Sequence, residues 1–468
     1  MSPFDPNYPF SAKAVQQFIR DRIARWGPLR LIAGNTLWLF ADRILRLGLG
    51  LYLNIRIAQY LGPQQFGLLN YATAFATLFL PIATLGFDSI VVRDLVRAPH
   101  DKDEILGTVF RLRLVGSVVA IALITGSILL VRPNDFLVHW LVGVTAIGTV
   151  FLSFDAIDLW FQSRLQSRLT VYAKNAAFLL IGSVKLLLIA FGASLITFAW
   201  AATAELLVGA IGMMIAYRTQ GFRLIDWRMN SERTIGLLRG GWPLVLSGFA
   251  SYLQSRSDQV LIGDLAGDAE LGQYSVALRL VEVLGFIPMI LYSSVAPTAA
   301  RVKSEDETRY YRLLLNFYRL MFLLFVLTAA PLLILSRQLI EILFGQEYAP
   351  AGLLLPLFSI RLFFTNFGVA KNLFIINDGL FKFSLIATCI GAFTNLGLNF
   401  MLIPAYSSKG AILAMSISYL LSTFLIDIFY SKARKNLYTM VLAIVTPWKI
   451  QFSTVSESAL KSNGKDDI

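Results

Sequence analysis

The sequence predicts an all-α integral membrane protein with twelve transmembrane helices in two six-helix lobes, and three observations carry that expectation. The first is composition: of 468 residues, 56% are hydrophobic and only 15% charged, with a mean hydropathy of +0.65. A globular chain carries about 25% charged residues, so a soluble enzyme of this size would lack the polar surface to cover itself, and a disordered chain would be far less apolar. The second is spacing. A bilayer core takes ~20 apolar residues per helix, and polar turns divide the chain into twelve runs: 31–56, 66–90, 107–131, 137–161, 171–191, 195–217, 237–263, 271–296, 312–335, 352–376, 381–403 and 410–430. The third is charge placement. Lys and Arg fall in alternate connections: twenty-four on one side, from Lys13, Arg20, Arg22, Arg25 and Arg30 to Lys432, Arg434 and Lys435, and only Arg132, Arg337 and Lys409 on the other. One miscounted run would invert every later loop, so the alternation supports the count and predicts a multi-pass cytoplasmic (inner) membrane protein with both termini cytoplasmic.

The segments follow in order. Residues 1–30 form a basic N-terminus in which 13–26 has the pattern of an amphipathic helix on the inner leaflet, and no small-residue cleavage site marks a signal peptide. Residues 31–217 make the N-lobe, 218–236 a cytoplasmic linker, 237–430 the C-lobe and 431–468 a cytoplasmic tail. The apolar run 437–446 is too short to cross and reads as interfacial. All outward connections are short, so no external domain is expected. The net charge of +12, 41 basic against 29 acidic residues, is explained by orientation and requires no nucleic-acid partner. Cys389 is alone, which excludes an internal disulfide, and with His100 and His139 it is too little for a Cys/His metal site.

An internal repeat supports the two lobes. The segment from Gln59 through Gly62 to Gly67, at the end of the first run, resembles Gly263 to Gly272 at the end of the seventh. The pairs Gly62/Gly67 and Gly267/Gly272 share one spacing, and Ile57/Ile262 and Ala72/Ala277 keep the same offset. With six runs in each half, both halves enter from the same side and are related by an axis along the membrane normal, the arrangement that supports alternating access.

Ionisable side chains at membrane depth cost a few kcal/mol each and normally face a cavity or a partner. Arg43, Arg46, Arg56, Lys185, Arg256, Arg279 and Arg361 are the candidate lining of a cationic cavity. Asp42, Asp155, Asp158, Glu205, Asp258 and Glu282 are the candidate ion-pair or coupling acids. Asp42 with Arg46 and Arg279 with Glu282 have the spacing of intrahelical pairs, whereas Arg43, Arg56, Lys185, Arg256 and Arg361 have no acid on their own helix face. Arg111, Arg113, Lys371 and Asp427 lie near predicted ends and read as snorkelling. Arginine presents a planar fork that matches phosphate oxygens and stays charged when desolvated, so a diphosphate head group is the expected guest. Trp38, Tyr252 and Tyr274 are placed to stack on sugar faces.

Catalytic signatures are missing. The chain has no phosphate-binding Gly-x-x-x-x-Gly-Lys-Ser/Thr loop, a single Asp155-Ala-Ile-Asp158 where diphosphate chemistry on magnesium would need two acidic clusters, and no Gly-x-Ser-x-Gly elbow. Binding and movement without bond making is the expected activity, with no cofactor.

Asn35-Thr-Leu-Trp38, Ile57-Ala-Gln-Tyr-Leu-Gly-Pro-Gln-Gln-Phe-Gly67, Leu85-Gly-Phe-Asp88 and Val91-Val-Arg-Asp-Leu95 resemble the bacterial oligosaccharide flippases of Wzx type, in the MOP exporter superfamily. In the second half, Asp258-Gln-Val-Leu-Ile-Gly263, Leu271-Gly-Gln-Tyr274 and Ile342-Leu-Phe-Gly-Gln-Glu-Tyr348 are similar to other segments of that family. The resemblance covers roughly residues 30 to 430. It implies a MATE-like two-lobed bundle that moves an undecaprenyl-diphosphate-linked oligosaccharide from the inner to the outer leaflet for surface polysaccharide assembly. It also implies coupling to Na+ or H+, and glycosyltransferases and a polymerase of the same pathway as partners. Ala277-Leu-Arg-Leu-Val-Glu282 is similar to a segment of the lipid II flippases that carries an Arg and a Glu three apart, and Arg43 falls where that family has a functional arginine. Those relatives usually have fourteen spans against the twelve counted here. A lipid II flippase and a cation-coupled multidrug antiporter of the same superfamily are the alternative readings.

Overall fold

The computed structural model describes the backbone of residues 12–450 and the side chains of residues 45–450. Asp42, Arg43, Trp38 and the amphipathic pattern at 13–26 therefore lie outside the described side chains. Among the described residues the chain is helical throughout, without a strand. The first lobe contains α1 (Ala12–Leu78), α2 (Leu80–Thr84), α3 (Asp88–Arg97), α4 (Lys102–Val131), α5 (Phe136–Phe151), α6 (Asp155–Ser163), α7 (Arg168–Ala190) and α8 (Leu195–Thr219). The second contains α9 (Ser231–Leu265), α10 (Asp268–Leu284), α11 (Ile287–Glu305), α12 (Glu307–Phe344), α13 (Ala351–Asn377), α14 (Phe381–Leu420), α15 (Ile426–Phe429) and α16 (Ser431–Val445).

Length decides how the longest helices are read. At 1.5 Å per residue the 67 residues of α1 would span ~100 Å and the 40 of α14 ~60 Å, against a bilayer core of ~30 Å. Both are broken. Gly62 leaves helical geometry at φ 67° and ψ 172°, and Ser407 does so at φ 50° and ψ −135°. A further bend of 46° separates Leu45–Leu78 from Leu80–Arg97, where Pro81 opens α2. With these breaks the helical segments lie along the twelve predicted runs, four of which are shared by more than one helix. Among the described residues eight helices are long and apolar enough to cross a membrane on their own; α9, diluted by Gly, Ser and Gln as well as by Arg239, Arg256, Asp258 and Asp264, is not among them. The connection expected over 404–409 shrinks to a reversal at Ser407, made possible by Gly410, whose missing Cβ would stand 2.2 Å from the Leu402 carbonyl oxygen.

The glycine repeat has a structural meaning beyond its spacing. Gly62 and Gly267 both adopt positive φ (67° and 96°), the backbone region that favours glycine. Five residues on, a Cβ on Gly67 would lie 1.8 Å from the Asp268 carbonyl oxygen, and one on Gly272 would lie 2.1 Å from that of Pro63. In the repeat Pro63 corresponds to Asp268 and Gly67 to Gly272. The two contacts are thus one contact made twice, as a pseudo-twofold axis between the halves requires. Ile57, Ala72, Ile262 and Ala277 lie in the same buried core.

The late apolar run forms α16, 15 residues and ~22 Å long. It is docked against α12: Tyr318 Oη donates to Asn436 Oδ1 at 2.9 Å, and Arg319 donates to Thr446 Oγ1 at 2.7 Å and the Lys449 carbonyl at 2.8 Å.

Candidate functional site

Three helices of the C-lobe bring sequence-distant charges together. Arg256 projects from α9, Arg279 and Glu282 from α10, and Arg361 from α13. Glu282 is the hub: Arg256 Nη2 lies 3.3 Å from Oε1 and Arg279 Nη1 3.5 Å from Oε2. Arg361 adds its field to both Glu282 and Asp258, while its Nη1 rests 3.5 Å from the Met415 sulfur. Asp258 is buried and takes its bonds from Tyr274 Oη and the Gln259 amide. Three guanidiniums therefore face two carboxylates. A guanidinium carries about five N–H donors and a carboxylate about four acceptor sites, and contacts at 3.3–3.5 Å use few of either well. The cluster is suited to an anion with several oxygens.

The sequence put Arg279 and Glu282 three apart on one face, and they pair as spaced. Arg256, read as lacking an acid, finds one on a neighbouring helix. Lys185 does the same: its Nζ lies 2.8 Å from Glu205 Oε2 across α7 and α8. Tyr274, expected to stack on sugars, is instead fully buried with its hydroxyl on Asp258. Arg56 stands apart, exposed at the Arg-poor end, where it donates to Gln59 Oε1 at 3.0 Å on its own helix.

The N-lobe charges form a second, more closed arrangement. Lys174 Nζ is 2.9 Å from Asp155 Oδ1 and 2.9 Å from Asp158 Oδ2. Lys174 falls near the start of the predicted run 171–191. Arg46, Asp155, Lys174 and Glu205 line one cavity of about 170 Å³, and the Arg46 guanidinium lies 5.4 Å from the Phe178 ring centroid.

Three further groups escaped the sequence. Lys371 and Asp427, read as snorkelling, pair at 2.6 Å inside the lobe, 5% and 0% exposed. Lys371 also donates to the Thr423 carbonyl at 2.7 Å in the π-helical turn Leu421–Leu425. Arg113, likewise read as snorkelling, is buried against Asp88. At the Arg-poor end Arg132 joins the lobes: its guanidinium lies 2.7 Å from Asp264 and 3.0 Å from Asp268, over the Tyr71 ring at 4.0 Å. Together with the reciprocal glycine contacts, the Gln59 bond to the Leu343 carbonyl (2.9 Å) and the Tyr348 bond to the Ala58 carbonyl (2.9 Å), it closes that end. At the basic end the linker is pinned to the N-lobe, with Arg233 held by Glu104 at 2.9 Å and Asp101 at 3.1 Å.

Fold and charge placement define a multi-pass helical membrane protein of two pseudo-equivalent lobes with ionisable groups in its interior. Residues 32–303 match the family described as polysaccharide biosynthesis protein, and residues 243–401 match the MatE family. The first match spans more than half of the chain, which therefore belongs to the polysaccharide biosynthesis protein family. Among curated relatives it is 24% identical over 191 residues to the capsular polysaccharide biosynthesis protein CapF of Staphylococcus aureus, covering 41% of this chain and 48% of that one. A Shigella flexneri protein carrying the provisional name of an O-antigen transporter is 24% identical over 194 residues, 41% of this chain and 46% of that one. The chain spans about half the length of the curated relatives it matches. In fold it is similar to the lipid II flippase MurJ in an inward closed conformation, with a TM-score of 0.65 at 15% identity over 88% of this chain and 91% of that one. It is also similar to an inward-facing multidrug resistance MATE transporter of the MOP superfamily, with a TM-score of 0.63 at 14% identity over 85% and 95%.

Proposed function

We propose that the chain is a flippase that carries a lipid-diphosphate-linked oligosaccharide across the cytoplasmic membrane by alternating access, with both termini in the cytoplasm. The observation that carries this reading is the convergence of Arg256 and Arg279 on the single carboxylate Glu282, with Arg361 adding its field. A diphosphate offers the guanidiniums more oxygens than Glu282 does, at charge-assisted strength of roughly 1.5–3 kcal/mol per bond. Membership in the polysaccharide biosynthesis protein family and the names of the curated relatives support it. In this reading the structure is closed at the outward end by Arg132 and the glycine contacts, and the substrate enters from the basic, cytoplasmic end. Arg46 would face the head group from the N-lobe side; Arg43 precedes it on the same helix. Coupling to Na+ or H+ belongs to the proposal, with Asp155 and Asp158 as the acids that would take part. Glycosyltransferases and a polymerase of the same pathway are the proposed partners, and the process is binding and movement, without bond making.

The MatE match over residues 243–401 favours a second reading, a multidrug antiporter. A cationic drug would meet three guanidiniums against two carboxylates in the C-lobe, which repel it. One experiment separates the two. Vesicles reconstituted with the full chain and a radiolabelled undecaprenyl-diphosphate-linked oligosaccharide should show leaflet exchange that a lipophilic cation does not inhibit. Drug efflux without lipid exchange would overturn the flippase reading.

A further inference from the structure

A second feature of α9 points to where the lipid part of such a substrate lies. Between the lobes, at the end beside the basic loops, an apolar cleft of about 310 Å³ is lined by Ile82, Leu85 and Phe87 from the N-lobe and by Trp242, Val245 and Phe249 from α9. That volume is at the lower end of ligand-sized pockets. Two close approaches frame it. Phe87 fills the space of the missing Gly241 side chain, where a Cβ would lie 1.9 Å from the ring, and Pro81 lies 3.3 Å from the corresponding position at Gly248. The lobes thus touch on both sides of the cleft without filling it.

The cleft residues of α9 are not isolated. Leu238, Trp242, Val245 and Phe249 follow one another at spacings of four, three and four, which keeps them on a single helix face. Seven residues after Phe249, two turns on the same face and ~10 Å along the axis, stands Arg256 of the arginine cluster. One stripe of one helix therefore changes from wholly apolar to cationic as it runs inward from the basic end. An ordinary lipid at a protein surface keeps its charge at the membrane face and its chain at mid-depth. This stripe has the opposite order, with the cationic end deepest.

We infer that this cleft receives the isoprenoid units beyond the first two, so that the polyprenyl chain runs back along α9 toward the basic end while its diphosphate engages the Arg256–Arg279–Arg361 cluster. The inference rests on the proposed function, since it supplies the tail of the ligand whose head the cluster takes. It gives α9 two tasks in register: chain length read by the cleft, charge by the arginines.

The test uses the full chain in nanodiscs and two compounds with one head group, an undecaprenyl-diphosphate-linked trisaccharide and its geranyl-diphosphate-linked counterpart, which is too short to fill the cleft from the cluster. Val245→Trp should weaken the undecaprenyl compound about tenfold and leave the geranyl compound within about twofold, whereas Arg279→Ala should weaken both. Equal loss of both compounds in Val245→Trp, or loss of neither, overturns the assignment of the cleft and leaves the head-group reading standing. If the unmodified chain binds neither compound, the head-group reading fails and the cleft assignment falls with it. Should Val245→Trp not accumulate, a benzophenone placed on the third or fourth isoprene unit and photolysed in the unmodified chain decides the question. Adducts on residues 82–87 or 238–249 are expected, and adducts found only elsewhere overturn it.

Discussion

The charged clusters of the two lobes are built differently. In the N-lobe two lysines are closed by carboxylates at hydrogen-bond distance: Lys185 by Glu205 at 2.8 Å, Lys174 by Asp155 and Asp158 at 2.9 Å. An ammonium has three donors, and two carboxylates nearly exhaust them. In the C-lobe Arg256 and Arg279 share one glutamate at 3.3 and 3.5 Å, and Arg361 reaches it only through space. Counting charges alone would treat both clusters as candidate sites. Counting donors against acceptors separates a neutralised core from a place where an anion gains by entering.

The comparison breaks most readily at the arginines. Replacing Arg256 and Arg279 together by alanine should lower leaflet exchange of a lipid-linked oligosaccharide at least ~100-fold, because two charge-assisted contacts of about 1.5–3 kcal/mol are lost. Immunoblotting should find the membrane level of the chain unchanged. A smaller loss, about tenfold, is expected where the two halves meet. Gly67→Val would place a side chain against the Asp268 carbonyl, 1.8 Å from where its Cβ must stand, so the closed end cannot form. In a Cys389→Ala background, a cysteine at Arg132 should then become reactive toward a membrane-impermeant thiol reagent added from outside.

The N-lobe sharpens the contrast from the other side. Lys185→Met alone should cost about 1–3 kcal/mol of stability by leaving the half-buried Glu205 without its cation, while Lys185→Met with Glu205→Met should return most of it. Exchange by the double variant should stay within about threefold of the original, as thermal unfolding and transport of one preparation would show. Among the arginine changes the smallest effect is expected from Arg279→Lys, which keeps the charge and loses the fork. A decline of about three- to tenfold separates a need for guanidinium geometry from a need for charge alone.

Much of the architecture was legible in the chain because membrane insertion writes itself locally. A run of apolar residues, a basic loop and a left-handed glycine are each visible within a few tens of residues, and the twelve runs, Gly62 and Gly267 follow from them. Partnerships were less so. Arg279 and Glu282 share a helix and could be paired from spacing. The partners of Lys185 and Arg256 sit 20 and 26 residues away on other helices, and a sequence with one strongly apolar background offers no periodic signal for which face meets which. Lys371 and Asp427 show the same limit from the opposite direction. Proximity to a helix end suggested contact with water, yet the turn Leu421–Leu425 and α16 close over both. Arg132, on the side poorest in basic residues, was read only as a topological marker. Its role in joining the lobes depends on Asp264 and Asp268, more than a hundred residues further on.

The most direct test measures equilibrium binding of one undecaprenyl-diphosphate-linked oligosaccharide to two double variants in nanodiscs, Arg256→Ala/Arg279→Ala and Lys185→Met/Glu205→Met. An anion site built by the C-lobe arginines predicts affinity at least ~100-fold weaker in the first and within about threefold of the original in the second. Equal weakening in both, or weakening confined to the lysine–glutamate variant, would contradict it.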